Sequence, residues 1–297
     1  MPYKLVKGET ALFRQGTNGP VGSQPDGDGV WFKPDNPSHL ENFNGRTSRF
    51  NGGGFIQLRF EGIDALEIHY QGEHQLLDPA KEARDELLEA LGFTSVTFGP
   101  SGATVTDSTP KKVKAHILTK GLDGTPNHRP ISFVFRGGHP GTDGSSIFLN
   151  TVNNSLNAML MREGLVYPLY YDTLPPDLRD ELTDLAIDAF NAGKGIWDDI
   201  DTSNDFNTIN GLADLRELAI WPKLYRRLKD YFAMRPGGTI KGFDQALRDG
   251  TLKDDLLDIV SSTHVESNAN MHDIYEISGT NRIRMKFFPE EIIVTGD

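Results

Sequence analysis

Ile56-Gln57-Leu58-Arg59-Phe60-Glu61-Gly62-Ile63-Asp64-Ala65-Leu66-Glu67-Ile68-His69 is the stretch that decides how this chain is read. Its first half alternates apolar and polar residues, the pattern of a half-buried strand. That strand carries Arg59, runs into Asp64 and is followed three residues later by Glu67. An arginine and two carboxylates delivered at one strand end are the residue types of a phosphate clamp, a metal ligand and a base. Strict alternation sets Arg59 on the opposite face from Asp64. The strand is therefore expected to bend or end near Gly62, where glycine permits the required backbone angles.

Working outward, residues 16–54 are rich in Gly, Asn, Pro and Asp and read as turns and loops, with a short strand near Val30-Trp31-Phe32. Pro79–Leu91 reads as a helix: Asp78 can cap it, Pro79 suits its first turn and Gly92 stops it. Strands are predicted at Ser95–Phe98, Lys112–Thr119 and Ile131–Phe135. Ser155–Glu163 is predicted as a short helix and Pro176–Ala192 as a long amphipathic one. The succession gives an α+β class, a small β-barrel buttressed by helices. After Trp197 comes an acidic linker, Asp198–Asp205, then helical patterns near 211–233 and 242–260 and β-like ends at 282–288 and 292–294. The division expected is a domain over residues 1–203 and an extension over 204–297 for support or interaction.

With 297 residues the chain has room for one packed domain and an extension, or for two domains. It has no cysteine, which removes disulfides, thiolate metal sites and cysteine nucleophiles. Its formal charge of −12 counts against a tight, non-specific coat on a polyanion, which is usually basic, but not against an enzyme with a local basic cleft. No apolar stretch approaches the ~20 residues of a membrane-spanning helix. Met1–Glu9 lacks the apolar core of a signal peptide, so the expectation is a soluble, cytoplasmic protein without a membrane partner.

Arg59-Phe-Glu-Gly-Ile-Asp64-Ala-Leu-Glu67 resembles the Arg-x4-Asp-Thr-Pro-Glu motif of the staphylococcal nuclease-like (thermonuclease) family. Asp26-Gly27-Asp28-Gly29-Val30 is similar to the upstream Asp-Gly-Asp-Thr-Val motif, and Arg129–Phe135 looks like the strand opened by the second essential arginine. Asn157–Val166 resembles the Asn-x-x-Leu-Val-x-x-Gly-Leu-Ala helix, and Ala189–Trp197 the last helix with its Ile-Trp ending. The resemblance spans about residues 26–200. It implies a five-stranded OB-fold barrel and a Ca²⁺-dependent phosphodiesterase that cuts DNA or RNA toward 3′-phosphate ends.

By the same resemblance Asp28, Asp64 and the Ala65 carbonyl would hold Ca²⁺, which takes hard oxygen ligands. Glu67 would be the general base. Arg59 and Arg129 would grip the phosphate through planar forks. Tyr170, from the cluster Tyr167, Tyr170 and Tyr171, would stack on a base. Three departures stand out. Residues 33–54 would be an insertion, Ala65 and Leu66 replace the Thr and Pro, and Pro126-Asn127-His128 stands where a lysine precedes the second arginine. His128 would substitute in part for that lysine. Two other readings stay open: a catalytically silent OB-fold module that binds nucleic acid or protein, and a nuclease effector restrained by a partner through its C-terminal region.

Overall fold

The computed structural model describes residues 2–16, 19–43, 45–261 and 264–295. The chain is α+β, and it divides into two compact units that are each discontinuous in sequence. The first is Met1–Glu61 with Glu82–Leu160, the second Gly62–Lys81 with Met161–Asp297. The boundary expected at residue 203 is not where the units part; the chain leaves the first unit inside the decisive stretch, at Glu61/Gly62.

In the first unit the sheet path runs through Ile56–Gln57, Trp31–Pro34, Tyr3–Ala11, Lys112–Leu122, Pro130–Arg136 and Arg59–Phe60. Both ends of this path belong to one extended segment. Ile56–Gln57 pairs antiparallel with the strand containing Trp31, while Arg59–Phe60 pairs parallel with the strand containing Ile131. Leu58 and Phe60 also donate to the Val30 and Asp28 carbonyls at 2.9 and 3.0 Å. The six-stranded sheet is thus a nearly closed barrel.

Its longest ladder joins Tyr3–Ala11 to Lys112–Leu122, with Lys4 opposite Thr119 and Ala11 opposite Lys112. The first strand went unrecognised in the sequence because Lys4, Lys7 and Glu9 dilute its apolar residues; in the fold these alternate with buried Tyr3, Leu5, Gly8 and Ala11. Side chains of Val6, Phe32, Leu58, Phe60, Ile117 and Val134, which the ladders place on one face of the sheet, form the barrel core, none more than 1% exposed. At roughly 1.5–3 kcal/mol for each large apolar side chain removed from water, this core is the main source of the unit's stability.

Two polar groups are buried beside it. Asn157, fully buried, donates from Nδ2 to the Glu61 carbonyl at 2.8 Å and to the Ser132 carbonyl at 3.1 Å, and accepts from the Val134 N–H at 3.0 Å. It sews the end of the Arg59 strand to its neighbour. Glu61 itself is buried with no counter-charge able to offset its desolvation. Burial pushes its carboxyl up to about 7, although the Lys120 ammonium and the Tyr3 hydroxyl pull the other way.

The second unit holds a five-stranded sheet in the order Val265–Asn270, Leu256–Val260, Ile292–Val294, Tyr167–Tyr171, Gly62–Asp64. Three of its five strands come from residues beyond 204. The tail is therefore integral to this sheet and not an appended module. A second, three-stranded sheet joins Asn207–Thr208, Arg282–Met285 and Tyr275–Ser278. The helical pattern near 242–260 resolves into a short helix, Phe243–Arg248, and the Leu256 strand. Leu257 and Ile259 are buried while Leu256 and Val260 are exposed, so the true period there was two.

The helix predicted over Pro79–Leu91 spans Leu77–Leu91, with Ala80, Ala83, Leu87, Leu88 and Leu91 all buried. Among the described residues no helix is long and apolar enough to cross a membrane.

The sign of the Glu61 shift fixes a pH effect. Because the folded carboxyl holds its proton up to about pH 7 while the unfolded one releases it near 4.5, the native state binds the extra proton between those values. Stability should fall as pH rises through that window and level off above it. Glu61→Gln is expected to remove this slope and to be more stable than the parent at pH 8 by on the order of 3 kcal/mol. Urea unfolding at pH 5 and pH 8 measures both.

Candidate functional site

Gly62 carries the chain from one sheet to the other. Its φ of +82° is the left-handed conformation that glycine adopts without penalty, and a Cβ there would lie 2.5 Å from Leu182 Cδ1. The bend expected from the alternation argument is therefore present at the residue expected. Arg59, before it, pairs into the barrel; Asp64, after it, pairs with Tyr167 in the five-stranded sheet.

Of the residues singled out in the sequence, Asp28, Arg59, His128 and Arg129 belong to the first unit. Ala65, Asp64, Glu67 and Tyr170 belong to the second.

In the first unit Arg59 lies opposite Ile131, and Arg129 immediately precedes the strand Pro130–Arg136, two residues before Ile131. Arg59, Arg129 and Ile131 are half-buried, while Phe60 and Ser132 are buried. Two arginines thus stand close to where these neighbouring strands pair.

Arg129 is oriented by Asp123, which is almost fully buried. The Arg129 Nε donates to Asp123 Oδ2 at 2.8 Å and its backbone N–H to Oδ1 at 2.9 Å. Asp28 sits in a turn bridged by Asp26 and Gly29, and its carbonyl accepts from Phe60 next to Arg59. The turn and the possible site are the same object here.

His128 takes a positive φ of 47° and places Nδ1 2.8 Å from the Thr47 carbonyl, so Nδ1 carries the proton in that bond. Arg46 Nη1 donates to the Leu122 carbonyl at 2.8 Å. Together these two bonds fasten the 42–47 hairpin, part of the expected insertion, to the turn that precedes Arg129.

In the second unit the two carboxylates of the motif converge on one cation. Arg226, on the helix Pro222–Met234, donates from Nη2 to Asp64 Oδ2 at 2.7 Å and from Nη1 to Asp64 Oδ1 at 3.1 Å and Glu67 Oε1 at 2.7 Å. Burial works against the charge on Arg226, but Asp64 and Glu67 more than offset it and hold its pKa well above that of ordinary arginine. The loop itself is braced by Gln75, whose Oε1 accepts from the Glu67 N–H at 3.2 Å and whose N–H donates to the Glu67 carbonyl at 2.9 Å. Gln75 Nε2 reaches the Ile220 carbonyl at 2.8 Å.

Sequence reading overlooked Arg226. The available signal was Lys223, Arg226, Arg227 and Lys229 crowded onto a helix whose apolar side is complete; such cations need buried acids. Lys223 and Arg227 find theirs in Asp255, 1% exposed, at 3.3 and 2.5 Å.

This arrangement does not fit the expected calcium set. Of its expected ligands Asp28, Asp64 and the Ala65 carbonyl, both Asp64 oxygens already accept from a guanidinium, and among the described residues no three His, Asp or Glu side chains gather to hold a metal ion. Tyr170 is a second correction. Its ring is fully buried in the central part of the second unit's sheet and its hydroxyl accepts from Thr183 at 3.1 Å, so no base can stack on it. Burial raises its pKa far above the usual tyrosine value. Tyr167 is equally buried and donates to Asp201 at 2.7 Å, leaving half-buried Tyr171 as the accessible ring of the three.

Removing one partner of a buried charge cluster costs about 3–5 kcal/mol, because the remaining charges lose their compensation. Arg226→Ala is therefore expected to lower the melting temperature markedly. It should also create a Ca²⁺ response: millimolar Ca²⁺ restores part of the lost stability in the variant and leaves the parent unchanged. Thermal melts of both proteins with Ca²⁺ or EDTA test this; an equal response would show that Arg226 does not compete for these carboxylates.

No protein-family model matches the chain, and no curated protein matches it in sequence.

Proposed function

We propose that this chain is a phosphodiester hydrolase acting on DNA or RNA, built on an OB-like barrel of the thermonuclease type. The observation that carries the reading is the pair Arg59, opposite Ile131, and Arg129, just ahead of that same strand Pro130–Arg136. A phosphodiester presents two non-bridging oxygens, and planar guanidinium forks match that geometry better than ammonium groups. Asp123 bonds Arg129 through both its Nε and its backbone N–H, which fixes the guanidinium in advance. Charge fixed in advance where the transition state gathers negative charge is usually the largest contribution to catalysis.

Glu67 is the proposed base. It would orient or deprotonate the attacking water, an effect of typically ~10²–10⁴-fold. In the described state its Oε1 accepts from Arg226, so accepting a proton from water requires that bond to be exchanged. No step is assigned to calcium, because Asp64 among its expected ligands is held by Arg226.

The Arg226 clamp favours a second reading: an enzyme held inactive by its own C-terminal segment, or a silent nucleic-acid module. The experiment compares the parent, Glu67→Gln, Arg59→Ala and Arg226→Ala on plasmid, single-stranded DNA and RNA, each with Ca²⁺, Mg²⁺ or EDTA. The expected result is cleavage by the parent that falls at least a hundredfold in Glu67→Gln and Arg59→Ala. Cleavage by Arg226→Ala alone would establish restraint. Absence of cleavage in every protein and metal would leave the silent module.

A further inference from the structure

A second basic site lies in the first unit, apart from Arg59 and Arg129. An open cavity of about 750 Å³ is lined by Phe13, Arg14, Lys33, Phe55, Lys111 and Lys112, among others. Its walls come from segments the ladders bring together. Ala11 opposite Lys112 ends the longest ladder, Lys33 lies opposite Glu9, and Phe13 opens a hairpin formed by Phe13–Gly16 and Gly19–Gly22. Gly53 and Phe55 belong to the approach to the Arg59 strand and include the end of the expected insertion.

The lining has a charge and shape that folding alone does not explain. Four cations face two acids: Asp107 pairs with Lys111, and Glu9 pairs with Lys112 at 2.5 Å. Arg14 and Lys33 leave an excess of positive charge, in a chain whose formal charge is −12. The aromatic rings are interleaved with these cations. The Lys111 ammonium lies 5.7 Å from the centre of the Phe13 ring, and that of Lys33 the same distance from Phe55. Phe13 is half-buried and presents part of its ring, whereas Phe55 is a buried wall.

Cations that follow a phosphate backbone and an aromatic face that takes a base are the two requirements for holding a single strand. The volume lies within the usual ligand-pocket range of roughly 300–1,000 Å³, and the open mouth suits a polymer that passes through.

We infer that this cavity binds single-stranded nucleic acid, with Arg14 and Lys33 on its phosphates and Phe13 under a base. This goes beyond the proposed hydrolysis and holds whether or not the chain is catalytic.

The test is fluorescence anisotropy of a labelled twelve-nucleotide oligo(dT) with the full chain in EDTA, each sample checked on a gel for intact oligonucleotide. Arg14→Ala/Lys33→Ala is expected to weaken binding at least tenfold and to make the slope of log K against log salt shallower by about 1.4, since each single-strand phosphate contact contributes roughly 0.7. Phe13→Ala should cost about tenfold with the salt slope unchanged. Both variants should melt with the parent, because the replaced side chains are half-exposed.

Poly-glutamate of matched charge should compete poorly. Equal competition by poly-glutamate, or unchanged affinity in both variants, overturns the inference, as does absence of binding by the parent at low salt. A dinucleotide substrate separates this site from the hydrolytic one. Its cleavage should survive Arg14→Ala/Lys33→Ala and be lost in Arg59→Ala, while oligo(dT) binding in EDTA should show the reverse.

Discussion

Asn157 supplies with one side chain the hydrogen bonds that the Arg59 strand would otherwise forfeit on leaving the barrel. A strand that ends in the interior exposes carbonyl and N–H groups to an apolar surrounding, and each left unpaired costs about 1–3 kcal/mol. The Asn157 carboxamide takes two carbonyls and one N–H, from Glu61, Ser132 and Val134. The strand can therefore stop at Phe60 without loss, Glu61 N–H closing on Ser132 at 2.9 Å. Gly62 can then turn the chain into a different sheet. Arg59 and Asp64, five residues apart, consequently belong to separate hydrogen-bonded frameworks, each of which fixes its residue independently of the other.

Charge neutralisation is the second constraint. The cations of helix Pro222–Met234 are matched to acids that are nearly inaccessible: Arg226 to Asp64 and Glu67, Lys223 and Arg227 to Asp255. For Asp255, burial alone would push the carboxyl up, but Lys223, Arg227 and Lys253 together hold it below its ordinary value. Arginine suits the position at 226 because one planar fork reaches three carboxylate oxygens on two residues, which a single ammonium cannot do with the same geometry. A carboxylate pair that would otherwise repel becomes a fixed joint between the loop after Asp64 and the C-terminal segment.

Where periodicity and punctuation were strong, the sequence was legible: the Leu77–Leu91 helix with its apolar stripe, the Ser95–Phe98 strand and the bend at Gly62 all followed from residue pattern. The Asn157 motif was visible as a resemblance, but its role as a junction depends on which strand passes beside it, which spacing does not encode. The strand Tyr3–Ala11 was missed because its outward side is charged and its inward side includes Gly8 and Thr10. The separation of an extension at residue 204 failed for a topological reason. A strand such as Ile292–Val294 is recognised locally, but its partners, Tyr167–Tyr171 and Leu256–Val260, are set by contacts far apart in sequence. Tyr170 misled because an aromatic cluster reads alike whether it faces a ligand or a core.

The Arg226 clamp bears on the proposed chemistry through a simple requirement. A general base must offer a lone pair to water, and the Glu67 oxygen at 2.7 Å from Arg226 is already taking a charge-assisted bond. Such bonds are roughly twice as strong as neutral ones. Exchanging this one for a water is unfavourable unless something else compensates either Arg226 or the carboxylates. A phosphodiester is suited to the first task, because its anionic oxygens can receive the same fork that now holds Asp64 and Glu67. Under the proposed chemistry an anion that receives the Arg226 fork would free the Glu67 oxygen, so the same positive charge would hold Glu67 in one state and the anion in the other.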